Sequence, residues 1–344
     1  MSKPKAKPLA SLSLDLDNLW SYMKTHGDAG WESLPSYFDL VVPRILAMLE
    51  TFDQKITFFV VGKDAEQPKN LGPLRAIANS GHEIGNHSLW HEPAFNTYNH
   101  IKTHTEVTHA EKAIEEAIGV KPRGWRGPGF SYSRDLLEIL ADRGYEYDAS
   151  TFPTFLGPIA RIFYFLKSGL KKADREKRKD LYGGWLDGFR TLKPFHWDLS
   201  DDQQLLEIPV TTMPFFKTPI HASYLLYLAK FSPKLARLYF KMALALCKLT
   251  RTAPSFLLHP TDFLGKEDVP ELHYFPAMDQ TSAWKLGVLR QFLGMLTSKF
   301  DVLPMSEYAK AFKESKAAKK RPKSAPEKGL TLVKITNLET TANS

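Results

Sequence analysis

The sequence predicts an α/β fold, an irregular (β/α) barrel with helical insertions, on three observations. Short apolar runs of strand length alternate with stretches of helical periodicity along most of the chain. Chemistry-bearing polar residues stand directly after several of those runs, which in a parallel barrel places them together at the C-terminal mouth. A chain of 344 residues with 43% hydrophobic content is also long enough to bury one large core.

Residues 12–16 form the first expected strand, and alternation puts Asp15 and Asp17 on one side at its end. Asp17-Asn18 reads equally as a cap for the following segment. A helix over 37–51 precedes a second strand at 56–61; a helix over 71–79 precedes a third at 83–85. The third strand runs into His87-Ser88-Leu89-Trp90-His91, two imidazoles that one helical turn brings to the same face. That is metal-ligand spacing, although surface or capping histidines share it. A divalent ion held by two neutral His nitrogens needs a further ligand, and an open position for water if it is to hydrolyse anything. Two carboxylates and two imidazoles suit a zinc-type site in which one carboxylate ligates and the other acts as base.

A helix over 101–118 leads to a short strand at 124–125 and the turn Arg126-Gly127-Pro128-Gly129-Phe130-Ser131. Such a turn exposes backbone N–H groups to a developing oxyanion, and Arg126 sets a permanent cation beside acids; most turns of this kind are only turns. After a helix over 134–143, a strand at 146–149 carries Asp148. Strands at 205–209, 255–258 and 300–303 follow, the second ending in His259, with a helix over 283–298 before the last. A lone His after a strand is often structural, but His259 is the last of five polar groups that follow apolar strands.

This ordered set resembles the polysaccharide deacetylase family, the NodB-homology or carbohydrate esterase family 4 group. The resemblance runs from about Ser11 to Tyr308 and is carried by Ser13-Leu14-Asp15-Leu16-Asp17, Thr57-Phe58-Phe59-Val60-Val61-Gly62, Gly81-His82-Glu83-Ile84-Gly85-Asn86-His87-Ser88-Leu89-Trp90-His91 and Leu257-Leu258-His259-Pro260. It implies a NodB-type barrel and metal-dependent hydrolysis of an N-acyl group, acetyl or formyl, on an amino sugar, possible carriers being a lipid or a nucleotide in surface-glycan synthesis. By the same resemblance Asp17, His87 and His91 hold the metal, with zinc first and cobalt, nickel or iron acceptable to the same donors. Asp15 is then the base, His259 the acid, Asp148 the group that orients His259, and Arg126 the partner of Asp15. The N–H groups near Gly129 and Phe130 stabilise the oxyanion. His82 is expected to play a structural role, Ser88 to cap the start of a ligand helix, and His196, His221 and His273 to lie on the surface or in the cleft. Two departures stand out: Asp-x-Asp where many members have adjacent aspartates, and Arg-Gly-Pro-Gly where many have Arg-x-Pro-Tyr. The first looks more like the branch of cytoplasmic lipid-linked aminosugar deformylases and metal-type allantoinases. An amidase on a small non-sugar amide and a catalytically silent glycan-binding barrel are the competing readings.

The domain expected is a single barrel over 9–313, with insertions at about 150–204 and 221–251 and a basic, disordered tail over 314–344. Within the insertions, residues 155–170 are rich in aromatic and aliphatic side chains, and 223–249 read as one long helix or two. Neither run is long and charge-free enough to span a bilayer. An ordinary amphipathic cover for the barrel is the expected reading, with peripheral contact to a membrane or lipid-linked substrate as the alternative. The single cysteine, Cys247, rules out an intrachain disulfide, and no secretory signal is visible, so a cytoplasmic protein is expected. The net charge of +8 is not organised into any nucleic-acid-binding module, and no Gly-rich phosphate loop occurs.

Overall fold

The first strand, β1 (Leu9–Leu16), alternates Ala and Leu with Ser and Asp. In the computed structural model of the chain, which describes residues 6–157 and 185–314, both sets are buried, on opposite faces. Ala10, Leu12, Leu14 and Leu16 enter the main apolar core, built with helices Phe38–Glu50, Ala222–Phe231, Pro233–Thr250 and Ser282–Lys299. Ser13 and Asp15 face the other way, where the Arg126 guanidinium reaches both.

Eight further strands complete one curled sheet: β2 (Thr57–Val60), β3 (Glu83–Asn86), β4 (Gly124–Trp125), β5 (Tyr147–Asp148), β6 (Phe195–Asp198), β7 (Gln204–Glu207), β8 (Ser255–Leu258) and β9 (Asp301–Leu303). Their order is β6-β7-β5-β4-β3-β2-β1-β8, with β9 along the start of β1. Every pairing is parallel except β6 with β7. The sheet comes round on itself where Thr211 meets Ser255, with Thr211 N–H donating to the Ser255 carbonyl (3.1 Å) and Ser255 N–H to Thr211 Oγ1 (2.8 Å). The result is the irregular barrel that the alternation of elements predicts.

Bulky side chains from different strands fill the barrel. Phe59, Tyr147 and Leu206 pack with Met305 and Tyr308 of the helix Met305–Glu314. Gly85 and Gly124 make room for them: a Cβ at Gly85 would lie 2.5 Å from the Phe59 ring, and one at Gly124 2.1 Å from Tyr147 Oη. The closing helix is pinned to the starts of β2 and β3, since Met305 N–H donates to Thr57 Oγ1 and Ser306 N–H to Glu83 Oε2. One end of the barrel is thereby plugged, and chemistry is confined to the other.

Each of the eight expected strands is present; β6 is the addition. The 223–249 run is two helices, broken at Ser232-Pro233: Ser232 Oγ accepts from Leu235 N–H and Pro233 takes the first helical position. Residues 158–184 of the first expected insertion and the expected disordered tail from 315 onward lie outside the described residues.

Candidate metal centre and active-site cleft

At the open end three side chains converge. Asp17 follows β1, His87 follows β3, and His91 lies four residues on. His91 Nε2 is 3.0 Å and His87 Nε2 3.3 Å from the same Asp17 Oδ1, and all three residues are buried. His87 Nδ1 lies 2.6 Å from the Arg126 carbonyl oxygen, a contact that holds the proton on Nδ1 and leaves the Nε2 lone pair facing Asp17. Asp17 Oδ1 accepts no hydrogen bond among the described residues. Two imidazole nitrogens and one carboxylate oxygen within 4.8 Å of each other form a cation-ready donor set. Burial on its own would raise the Asp17 carboxyl, but His91 and His87 outweigh it and hold the group well below the usual carboxylate range.

The ligand segment is not the helix that the spacing predicts. Ser88 and His91 have left-handed backbones (φ 64° and 48°), and nearby side chains take the N–H groups a helix would use. Asn86 Oδ1 accepts from Ser88, Ser88 Oγ from His91, and Glu106 Oε2 from both Leu89 and Trp90. Ser88 therefore bonds the backbone as expected, but inside a loop. His82 accepts from Ile56 N–H (3.2 Å), and burial first, then Lys55, lowers its pKa to about 4, so it is a neutral structural residue.

Asp15 lies beside this centre, bound through both oxygens to Arg126 Nη1 (3.1 and 3.3 Å). Arg126 is wholly buried; it also touches Ser13 and lies 4.9 Å over the Phe59 ring. His259 Nε2 is 4.0 Å from Asp15 Oδ2. Asp15, Asp17, His87, His91 and His259, with Gly129, Phe130, His221 and Ser223, line a cavity of about 490 Å³ whose other walls include the aromatic side chains of Tyr22, Phe152, Tyr224, Tyr227, Tyr274 and Phe275.

Two expected contacts are corrected. Asp148 does not orient His259: its Oδ1 accepts from Ser150 Oγ and Ala149 N–H, and its register partner across β5 and β7 is Glu207. Burial, then the Asp148 charge, pushes Glu207 well above its ordinary range, and burial raises Asp148 as well. His259 instead has Ser223 Oγ 3.2 Å from its Nδ1, while its N–H donates to Asp262 Oδ2 (2.8 Å). The Phe130 N–H, one of the two expected oxyanion donors, is committed to the Gly127 carbonyl (3.0 Å). Of the other histidines, His221 lines the cleft, held neutral by burial and then by His259 with a pKa of about 3; His196 and His273 are not among the residues lining it.

The sequence reading missed Ser223, Asp262, Glu106 and Glu207. An acid three residues after His259 was a visible capping signal; Ser223, Glu106 and Glu207 had none, because only packing brings them in. It also missed Asp64, which organises the loop after β1: Asp64 Oδ1 accepts from Asn18 Nδ2 (2.6 Å), Trp20 Nε1 (2.9 Å) and Asn70 Nδ2 (3.1 Å). Burial raises its pKa from 3.8 to about 7. Between those values the unfolded chain has released a proton that the folded chain keeps, so stability falls as pH rises, by up to about 4 kcal/mol. Asp64→Asn keeps the acceptor and is expected to flatten that slope; urea denaturation across the window checks it, and an unchanged slope refutes it.

Comparison with known proteins agrees with this geometry. Residues 28–147 match the family model described as polysaccharide deacetylase. The peptidoglycan-N-acetylglucosamine deacetylase of Bacillus cereus is 34% identical over 86 residues, 25% of this chain and 30% of that protein. The uncharacterized protein YlxY of Bacillus subtilis is 31% identical over 100 residues, 29% of this chain and 30% of that protein. The chain thus matches under a third of the length of these curated relatives. A Mycobacterium smegmatis crystal structure, provisionally named a polysaccharide deacetylase, superposes with a TM-score of 0.59 at 22% identity, covering 95% of this chain and 97% of that one, which shows the shared fold. Residues 28 to 147 thus match the polysaccharide deacetylase family, and the curled parallel sheet that holds them has the fold of the Mycobacterium smegmatis structure.

Proposed function

We propose that the protein is a metal-dependent hydrolase that removes the N-acetyl group of an amino sugar. The observation that carries this reading is the meeting of Asp17, His87 and His91 with Asp15 and His259 at one cavity. The name of the Bacillus cereus relative supports the substrate class.

The donor set fits a divalent ion of the zinc, cobalt, nickel or iron type, since a carboxylate oxygen without a donor faces two imidazole nitrogens. Such an ion supplies Lewis acidity and makes water ionisable near neutral pH. The chain's own residues do the rest. Asp15 accepts the proton of the attacking water, its carboxylate held in place by Arg126. The Gly129 N–H is the remaining backbone donor of the expected pair, at a left-handed residue (φ 59°) that lines the cavity. His259 delivers a proton to the departing amine from Nε2. Its Nδ1 is engaged by Ser223, whose hydroxyl also bonds Asp262. That Ser223–Asp262 relay fixes the ring as a directly bonded carboxylate would.

The test is mass spectrometry of N-acetylglucosamine oligomers, acylated sugar nucleotides and small amides after incubation with metal-loaded protein, with and without chelator. Loss of acetyl mass from the sugars alone, abolished by chelator, is expected. Loss of formyl mass alone would change the acyl group, hydrolysis of small amides alone would overturn the sugar assignment, and no turnover by metal-loaded protein would overturn the reaction.

A further inference from the structure

Helix Pro233–Thr250 covers the barrel with Ala236, Phe240, Ala243, Leu244 and Cys247, but its opposite side is not an ordinary polar surface. Leu235, Leu238, Met242 and Leu249, at relative positions 0, 3, 7 and 14, form one apolar stripe, and they are 65%, 60%, 44% and 74% exposed. Beside it, offset by one residue, Lys234, Arg237, Lys241 and Lys248 repeat the same spacing as a row of cations. Among the described residues none of these four is ion-paired, and the sequence has no Asp or Glu between Lys217 and Asp262.

The stripe continues toward the cleft. Phe231, 69% exposed at the end of the preceding helix, lies 5.2 Å, ring to ring, from Tyr227, which lines the cavity. Phe215 and Phe216, 69% and 61% exposed, project from a turn closed by the Thr212–Pro219 bridge. Tyr239 Oη ties that turn to the helix by donating to the Pro219 carbonyl (2.9 Å), and Pro219 also lines the cavity. Exposed aromatic and aliphatic side chains on this helix, at the end of the preceding one and on the turn tied to it, flanked by unneutralised cations, are not explained by solubility.

We infer that this face docks the protein on an anionic phospholipid bilayer, with the cleft opening beside the headgroups. Aliphatic and aromatic side chains enter the acyl boundary while the lysine row meets lipid phosphates, the arrangement of an interfacial helix. No described helix is long and apolar enough to cross a membrane, so contact is peripheral. Charge selects this occupant over the chain's own remaining segments: 158–184 carry eight Lys/Arg against three Asp/Glu and 315–344 seven against two, the same sign as the row they would have to cover. The inference is independent of the reaction, because vesicle binding is read without turnover.

The test is co-sedimentation of the full chain with phosphatidylcholine vesicles, with and without about one-third phosphatidylglycerol. Binding is expected only to the anionic vesicles and to weaken with salt. Lys234→Gln with Lys241→Gln is expected to weaken it about 30-fold, at roughly fivefold for each charge lost at the surface. Leu235→Ser with Leu238→Ser is expected to weaken it similarly, circular dichroism confirming the fold; if that pair does not fold, the exposed lysine pair still decides. No binding to anionic vesicles overturns the inference. So does binding that both variants leave unchanged, which would assign it to another basic segment, or a dimer in solution that the leucine variant dissolves.

Discussion

His91→Ala is expected to remove both metal uptake and hydrolysis, lowering turnover by at least about 10⁴-fold, because water then keeps a pKa near about 15.7 in place of about 7. Only Asp17 and His87 would remain of the donor set, and the Asp17 oxygen would lose its nearer neighbour at 3.0 Å. Metal content of the purified variant by native mass spectrometry and turnover of an acetylated sugar check this together. A variant that retained metal and full turnover would remove His91 from the site.

Asp15→Asn is expected to separate chemistry from metal binding. Asp15 is not one of the three converging donors, so metal uptake is expected to persist while kcat falls by about 10²–10⁴-fold, the usual contribution of a general base. The same variant leaves the wholly buried Arg126 without the carboxylate it binds at 3.1 and 3.3 Å. Removing one member of a buried ion pair costs about 3–5 kcal/mol, so chemical denaturation is expected to show a large loss beside the kinetic one. Normal kcat with bound metal would show that another group takes the proton.

Much of the barrel was legible because strands buried on both faces read as continuous apolar runs, as Phe58 to Val61 do, and because polar residues stop those runs at the mouth. β6 was not legible: Phe195-His196-Trp197-Asp198 is an edge strand with only its first residue fully buried, so it carries no such run. The spacing of His87 and His91 was visible, but the loop that sets their rings was not. That loop depends on Glu106, nineteen residues beyond His87, and on two left-handed residues that no hydrophobic period encodes.

Asp148 shows the limit most clearly. The family resemblance gave it His259 as its partner, yet the strand beside β5 is β7, and the register Asp148 to Glu207 pairs the two acids. β6, between them in sequence, folds back antiparallel to β7 at the edge of the sheet. His259 likewise takes Ser223 from a helix packed against its strand.

The sequence by itself determined every strand but β6 and which donors stand at their ends, since both follow from local patterning along a few residues. The pair of Asp15 with Arg126 was expected from the family resemblance, but only the tertiary structure decided that His259 takes Ser223 and that Asp148 faces Glu207. It also decided that one flank of a covering helix stays bare. Those outcomes depend on strand order, register and helix packing across residues far apart in the chain, which no local pattern records.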